Sequence, residues 1–197
     1  MLDRAGDRLV LRPWSGLSKI WRSEISGIAP CPMEDEPWAR GTWEFTPSRI
    51  AGECSRGVCA CRVDVETTDL DLEVTVCILQ GERAGLVLGR GEELAKTVCV
   101  VLDARRNEVT IGHLRPAPYG ILLDDTLDRY FRTIETGVPY TVRLLRRDRY
   151  AEVFIDEELV FSTIVGIPTE GRPWMGAVLE ASKAQLDVRR ATALEPM

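Results

Sequence analysis

The chain of 197 residues carries one histidine, His113, and that scarcity removes most of the usual nucleophilic machinery. A Ser–His or Cys–His pair would have to use this one imidazole, and no G-x-S-x-G elbow accompanies it. Phosphate-cradling loops are missing too: Gly85, Gly89 and Gly91 have neither the spacing nor a following helix. No apolar run approaches the length of a membrane span. The opening Met-Leu-Asp-Arg-Ala-Gly-Asp-Arg lacks the charged-then-apolar build of a secretion signal, so the expected location is cytoplasmic. Positive charge is in deficit, with 25 basic against 31 acidic side chains and a net charge of −6. A chain so balanced is poorly suited to phosphate backbones or anionic membranes, which excludes nucleic acid and membrane as expected partners.

The six cysteines need a decision. Cys77 and Cys99 sit in EVTVCIL and KTVCVVL, where a thiol behaves as a small buried hydrophobe. Cys54, Cys59 and Cys61 crowd into GECSRGVCAC, and Cys31 stands alone among prolines. C-x4-C-x-C matches no ordinary zinc spacing, and His113 is remote in sequence, so no metal and no cofactor are expected. Free thiols in a reducing compartment are the expectation.

What the sequence has in abundance is alternation. In Asp69–Ile78, Leu70, Leu72, Val74, Val76 and Ile78 share one face while Asp69, Asp71, Glu73 and Thr75 share the other, the signature of a half-buried strand. Similar segments span 41–45, 49–52, 60–67, 83–89, 97–104, 108–112, 129–134, 139–146, 150–156, 159–163, 174–180 and 183–190. Turn chemistry separates them at Gly81-Glu, Arg106-Asn, Arg147-Asp, Asp156-Glu and Glu170-Gly. The pattern predicts an all-β fold: a two-sheet antiparallel β-sandwich of jelly-roll, concanavalin-like type, over residues 41–197. The stretch 113–128 (HLRPAPYGILLDDTLD), with its prolines and glycine, reads as the longest loop. Residues 1–40 read as a strand at 9–11, a helix over 16–25 capped by Ser15, and a Pro-rich linker at 29–37. The helix would present Leu17, Ile20, Trp21 and Ile25 on one stripe and needs a surface to bury it, the sandwich itself or a second copy.

Three groups could carry function. Asp69-Leu-Asp71-Leu-Glu73 resembles the E-I-D-I-E strand of family 16 glycoside hydrolases, with Asp in place of the first Glu. Retaining chemistry needs carboxyls about 5–5.5 Å apart, whereas i and i+4 on a strand lie about 13 Å apart and i and i+2 about 7 Å. A solvated polar face explains the same residues. Arg143, Arg146, Arg147 and Arg149 form a basic cluster around a hairpin and read as a solvated turn with room for a weak anion contact. Among the aromatics, Trp38, Trp43, Trp174, Tyr119, Tyr130 and Tyr150 are candidates to stack on a sugar face. Trp43 alternates with Phe45 and belongs to the core; Trp38, beside the linker, and Trp174, after Gly-Arg-Pro, are the favoured binding residues.

The run Arg149-Tyr-Ala-Glu-Val-Phe-Ile-Asp-Glu-Glu-Leu-Val-Phe-Ser162 resembles a hairpin in the C-terminal β-sandwich module of glycoside hydrolase family 32, the invertase and levanase class. Segments at 83–88, 100–103 and 174–189 follow in a similar order, and 6–17 resembles the junction with that family's catalytic propeller. The propeller's W-x-N-D-P, R-D-P and E-C motifs have no counterpart: Arg147-Asp148 is followed by Arg, and Glu53-Cys54 lies in the wrong region. The resemblance therefore implies a non-catalytic accessory module that docks on a propeller domain or subunit of a fructan- or sucrose-cleaving enzyme, with no catalytic residue of its own. The alternatives are a free-standing, lectin-like carbohydrate-binding module using Trp38 and Trp174, and a small family-16-like glucanase using Asp69, Asp71 and Glu73.

Overall fold

A computed structural model describes residues 2–5, 8–11, 21–24, 41–92, 97–117, 120–167 and 170–194. Every element among them is a strand, and every pairing is antiparallel. The strands are β1 (Leu2–Ala5), β2 (Arg8–Leu11), β3 (Trp21–Glu24), β4 (Thr42–Thr46), β5 (Arg49–Glu53), β6 (Val58–Ala60), β7 (Val63–Asp64), β8 (Leu70–Gln80) and β9 (Arg83–Arg90). They continue as β10 (Val98–Asp103), β11 (Glu108–Ala117), β12 (Gly120–Phe131), β13 (Pro139–Arg147), β14 (Tyr150–Ile155), β15 (Glu158–Ile164), β16 (Pro173–Glu180) and β17 (Lys183–Leu194). One sheet runs β12-β11-β10-β9-β16-β6 with β7 also on β16; the other runs β15-β14-β13-β8-β17-β5-β4 with β3 on β17. The expected two-sheet sandwich is the fold.

The inner faces follow the alternation. Leu70, Leu72, Val74, Val76 and Ile78 are each at most 1% exposed and meet Ala84, Leu86 and Leu88 of β9, Val142 and Leu144 of β13, and Met175, Ala177 and Leu179 of β16. Five of the connections need a left-handed residue, and the turn chemistry supplies one in each: Gly81, Asn107, Asp148, Asp156 and Gly171 all have positive φ.

Three expectations are corrected. Residues 113–128 are not a loop: β11 and β12 form one long hairpin through Ala117 and Gly120, with register shifts between Ile111 and Gly112 and between His113 and Arg115. Pro116 is tolerated because β10 pairs with β11 only as far as His113, so no ladder bond on that side is lost. The bulges bend the hairpin until β12 touches β6, and Leu114 and Leu123 close a second apolar cluster with Val87, Val101, Trp174 and Val178 on the outer face of that sheet. Trp21–Glu24 is a strand rather than helix. β5 covers β17 only from Lys183 to Asp187, and the backbone groups left beyond it take β3 at Thr192–Leu194. Pairing an open edge outweighs a short stripe of helical spacing. The rest of the expected helix and the Pro-rich linker lie outside the described residues. Lastly, Cys54 and Cys59 are joined in a disulfide rather than free, while Cys61, Cys77 and Cys99 are thiols.

Candidate functional site

Sequence reasoning favoured Trp38 and Trp174 as exposed sugar platforms. Trp38 lies outside the described residues. Trp174 is 2% exposed, and the reason is across the ladder: its partner is Gly89, over which the indole lies, so that a Cβ there would come within 2.5 Å of the ring. The indole N–H donates to the Gly91 carbonyl at 2.8 Å and the Arg62 guanidinium sits 5.7 Å from the ring centroid. Trp43 repeats the device over its own partner, Gly52, and packs on the core as expected. Trp174 is buried and offers no exposed ring face as a platform.

The acidic strand separates into two fates. Asp71 is fully enclosed; its carboxylate accepts two hydrogen bonds from Arg143, at 2.7 Å from Nε and 2.6 Å from Nη2, and lies 3.5 Å from Arg190. Arg190 also holds Glu73 at 3.1 Å. A bulge in β17 between Val188 and Arg190 makes this network, because the extra residue lets Arg189 reach Thr75 while Arg190 faces Glu73. Carboxylates gripped in this way act as charge partners: Asp71 has no exposed surface, and Glu73 is held to Arg190 through one oxygen. His113 is likewise engaged, with Nδ1 2.9 Å from the Thr97 carbonyl oxygen.

Asp69 goes elsewhere. It lies at the end of the sandwich, beside a cleft of about 440 Å³ lined by Thr68, Asp69, Arg90, Arg146, Asp148, Arg149, Ile164, Gly166 and Ile167. Its Oδ1 accepts from Arg146 Nη1 at 2.9 Å and from the Asp148 backbone N–H at 2.8 Å, while its own N–H donates to Thr67 Oγ1 at 3.0 Å. The cleft arises where the hydrophobic phase of two strands runs out. Tyr140, Val142 and Leu144 of β13 point inward, and the next residue in that phase is Arg146; Ala84, Leu86 and Leu88 of β9 point inward, and the next is Arg90. Two sheets thus finish their core with arginines. Burial pulls the Arg146 guanidinium below the usual arginine range; Asp69 opposes this, Arg90 adds to it and Asp148 opposes it again.

At the edge of the cleft, Tyr150 and Ile164 face each other across β14 and β15, 59% and 62% exposed. Ile164 is part of the lining, and Tyr150 follows the lining residue Arg149. The positive-φ turn at Asp148 joins β13 to β14 and so brings Arg146, Asp148, Arg149 and Tyr150 to one place.

No protein-family model matches the sequence, and a comparison with curated proteins gives no match. Solved structures do resemble the fold. The carbohydrate-binding module CBM66 from Bacillus subtilis superimposes with a TM-score of 0.63 at 18% identity, over 85% of this chain and 97% of that one. β-Agarase A from Zobellia galactanivorans gives 0.59 at 8% identity, over 91% and 92%. The Emp46p carbohydrate recognition domain, in its potassium-bound form, gives 0.54 at 14% identity, over 80% and 87%. At such identities the likeness is one of fold.

The cleft therefore has the parts of a polar binding seat. Carboxylates accept from hydroxyls, guanidinium groups donate to them in a fixed fork, and an exposed aromatic–aliphatic pair adjoins them. Sequence reasoning noted the basic cluster and Tyr150 without joining them, and it passed over Arg90. The signal that identifies Arg90 and Arg146 is phase: each stands where its strand's alternation calls for another apolar side chain.

Proposed function

We propose that the chain is a non-catalytic carbohydrate-binding β-sandwich module and that its saccharide sits in the end cleft. The observation that carries this reading is the convergence of Arg90, Arg146, Arg149, Asp69 and Asp148 beside the exposed Tyr150–Ile164 pair. Sugar hydroxyls pair with such fixed carboxylate and guanidinium groups, and the C–H face of a ring packs on an aromatic or aliphatic surface. Because Asp69 is already tied to Arg146 and to the Asp148 backbone, the seat is held in place before a ligand arrives, which lowers the ordering cost of binding. The volume lies within the range of small-ligand sites. Similarity in fold to a carbohydrate-binding module and a carbohydrate recognition domain supports the same reading.

The finer reading is an accessory role beside a glycoside hydrolase. Its support is the 149–162 hairpin, which forms β14 and β15 and ends at the cleft, and the order of the segments resembling the family 32 sandwich. On this reading the partner is a catalytic propeller, and the module contributes binding while the propeller contributes chemistry. Titration calorimetry of the chain with soluble oligosaccharides tests the proposal. Saturable binding that is lost in Arg149→Ala or Tyr150→Ala supports it; saccharide binding that ignores both substitutions overturns the placement in the cleft.

A further inference from the structure

We infer that the open edge of β12 takes a second copy of this chain, in a two-fold antiparallel ladder centred on Tyr130. β12 ends its sheet, and Arg129 and Phe131 stand exposed along it, Phe131 to 77%. The Arg132 N–H donates to the Asn107 carbonyl at 3.0 Å, toward β11. Backbone groups alternate sides along a strand, so Tyr130 and Asp128 also turn theirs to β11, while Arg129 and Phe131 turn theirs to the open edge. The Arg129 N–H bears this out: it is capped by a side chain, Asp128 Oδ1, at 2.8 Å. Edge groups of this kind are a template for another strand, and a large apolar side chain beside them favours one. The regular stretch is short, because the bulge at Leu127 interrupts it on one side and β12 ends at Phe131 on the other.

Symmetry and charge fix the register. A two-fold axis normal to a sheet keeps every side chain on its own face, so the ladder centres on a residue and not between two. Centred on Asp128 or Arg129, it would set like charges directly opposite each other, which is unfavourable. Centred on Phe131, it would pair Tyr130 and Arg129 with residues beyond the end of the strand. Centred on Tyr130, it sets Arg129 of each copy opposite Phe131 of the other, and Asp128 opposite Arg132. Arg129 and Phe131 are the residues whose backbone groups face the edge, so each such pair exchanges both backbone hydrogen bonds. The half-exposed Arg129 guanidinium lies over an exposed ring in that arrangement, a cation–π contact between strands. Asp128, released from the Arg129 N–H, becomes a second carboxylate for Arg132, which already serves Asp156. Tyr130 donates its hydroxyl to Glu158 at the start of β15, and Ile164 of the cleft lies at the far end of that strand, about 20 Å away. The contact leaves the end cleft of each copy open.

Sedimentation velocity of the intact chain over a concentration series tests the contact. A ladder this short makes a small interface, so the expected result is a reversible step from 22.0 kDa to twice that mass in the micromolar range. Phe131→Lys sets a cation opposite Arg129 of the second copy; it acts twice across the axis and should weaken the dimer about tenfold or more. Adding Arg129→Glu to it restores an opposite-charge pair and should bring the dimer back. Phe131→Ser, which removes the ring without adding charge, gives the same reading in reduced degree should Phe131→Lys fail to fold by its thermal melt. A mass of 22.0 kDa at every concentration, growth beyond a dimer, or a dimer that ignores both Phe131 substitutions overturns the inference. The readout is mass and involves no saccharide, so its failure leaves the carbohydrate reading intact.

Discussion

Replacing Asp71 separates a structural role from a catalytic one. Its carboxylate has no exposed surface and is held by both nitrogens of the Arg143 fork and, more distantly, by Arg190. Asp71→Asn keeps the shape but strips the charge, leaving two arginines short of their counter-ion. Breaking a buried ion pair by removing one partner costs about 3–5 kcal/mol. Arg143 and Arg190 keep 16% and 29% of their side-chain surface, and Glu73 still serves Arg190, so the lower end applies, about 3 kcal/mol. For a domain of this length that corresponds to a fall in Tm of about 6–12 °C. Urea denaturation followed by tryptophan fluorescence measures it, as a shift in midpoint at unchanged slope. Asp71→Leu combined with Arg143→Leu should recover part of the loss, because the orphaned charge is then gone as well. A loss under about 0.5 kcal/mol for Asp71→Asn, the size expected of an ordinary surface change, would refute the reasoning and return Asp71 to the candidates for chemistry.

Reducing the Cys54–Cys59 bond, which closes a loop of sequence separation 5, should cost about 2 kcal/mol by loop entropy; denaturation with and without a reductant measures it, and no shift would contradict it. Gly89→Ala puts a methyl group 2.5 Å from the Trp174 ring and should cost about 1–3 kcal/mol, with a red-shifted tryptophan emission. Burial pushes the Cys61 thiol from 9.0 up to about 12, against backbone hydrogen bonds from Ala177 and its own N–H. The raised value means that above the ordinary thiol range the unfolded chain sheds a proton the folded chain keeps. Stability therefore falls with rising pH, by about 1.4 kcal/mol from this group at about pH 10, and Cys61→Ala should flatten that part of the stability–pH curve.

The strands were legible because alternation and turn chemistry are local. Leu70 to Ile78 alternate within one short run, and Asn107, Asp148 and Asp156 stand where left-handed turns need them. What escaped is decided between distant segments. Trp174 looks exposed after Gly-Arg-Pro until Gly89 is known to lie opposite it. Trp21–Glu24 stands in a run of apolar residues at helical spacing in the sequence, but in space it meets the open edge of β17. The hairpin of β11 and β12 is masked by prolines and glycine that matter only where a third strand would pair. Half of the cleft was in view: the basic run at β13 and the nearby tyrosine. Its other half, Arg90, belongs to the opposite sheet, and only the packing of the two sheets brings it near.

The placement of a saccharide in the end cleft is tested most directly by calorimetric titration of the intact chain and two variants against one panel of acidic and neutral oligosaccharides. Arg149→Ala should weaken the bound saccharide about tenfold or more, while Phe131→Ala, an aromatic 77% exposed and outside the cleft lining, should leave it unchanged. Loss of binding in Phe131→Ala with full binding in Arg149→Ala would contradict the account.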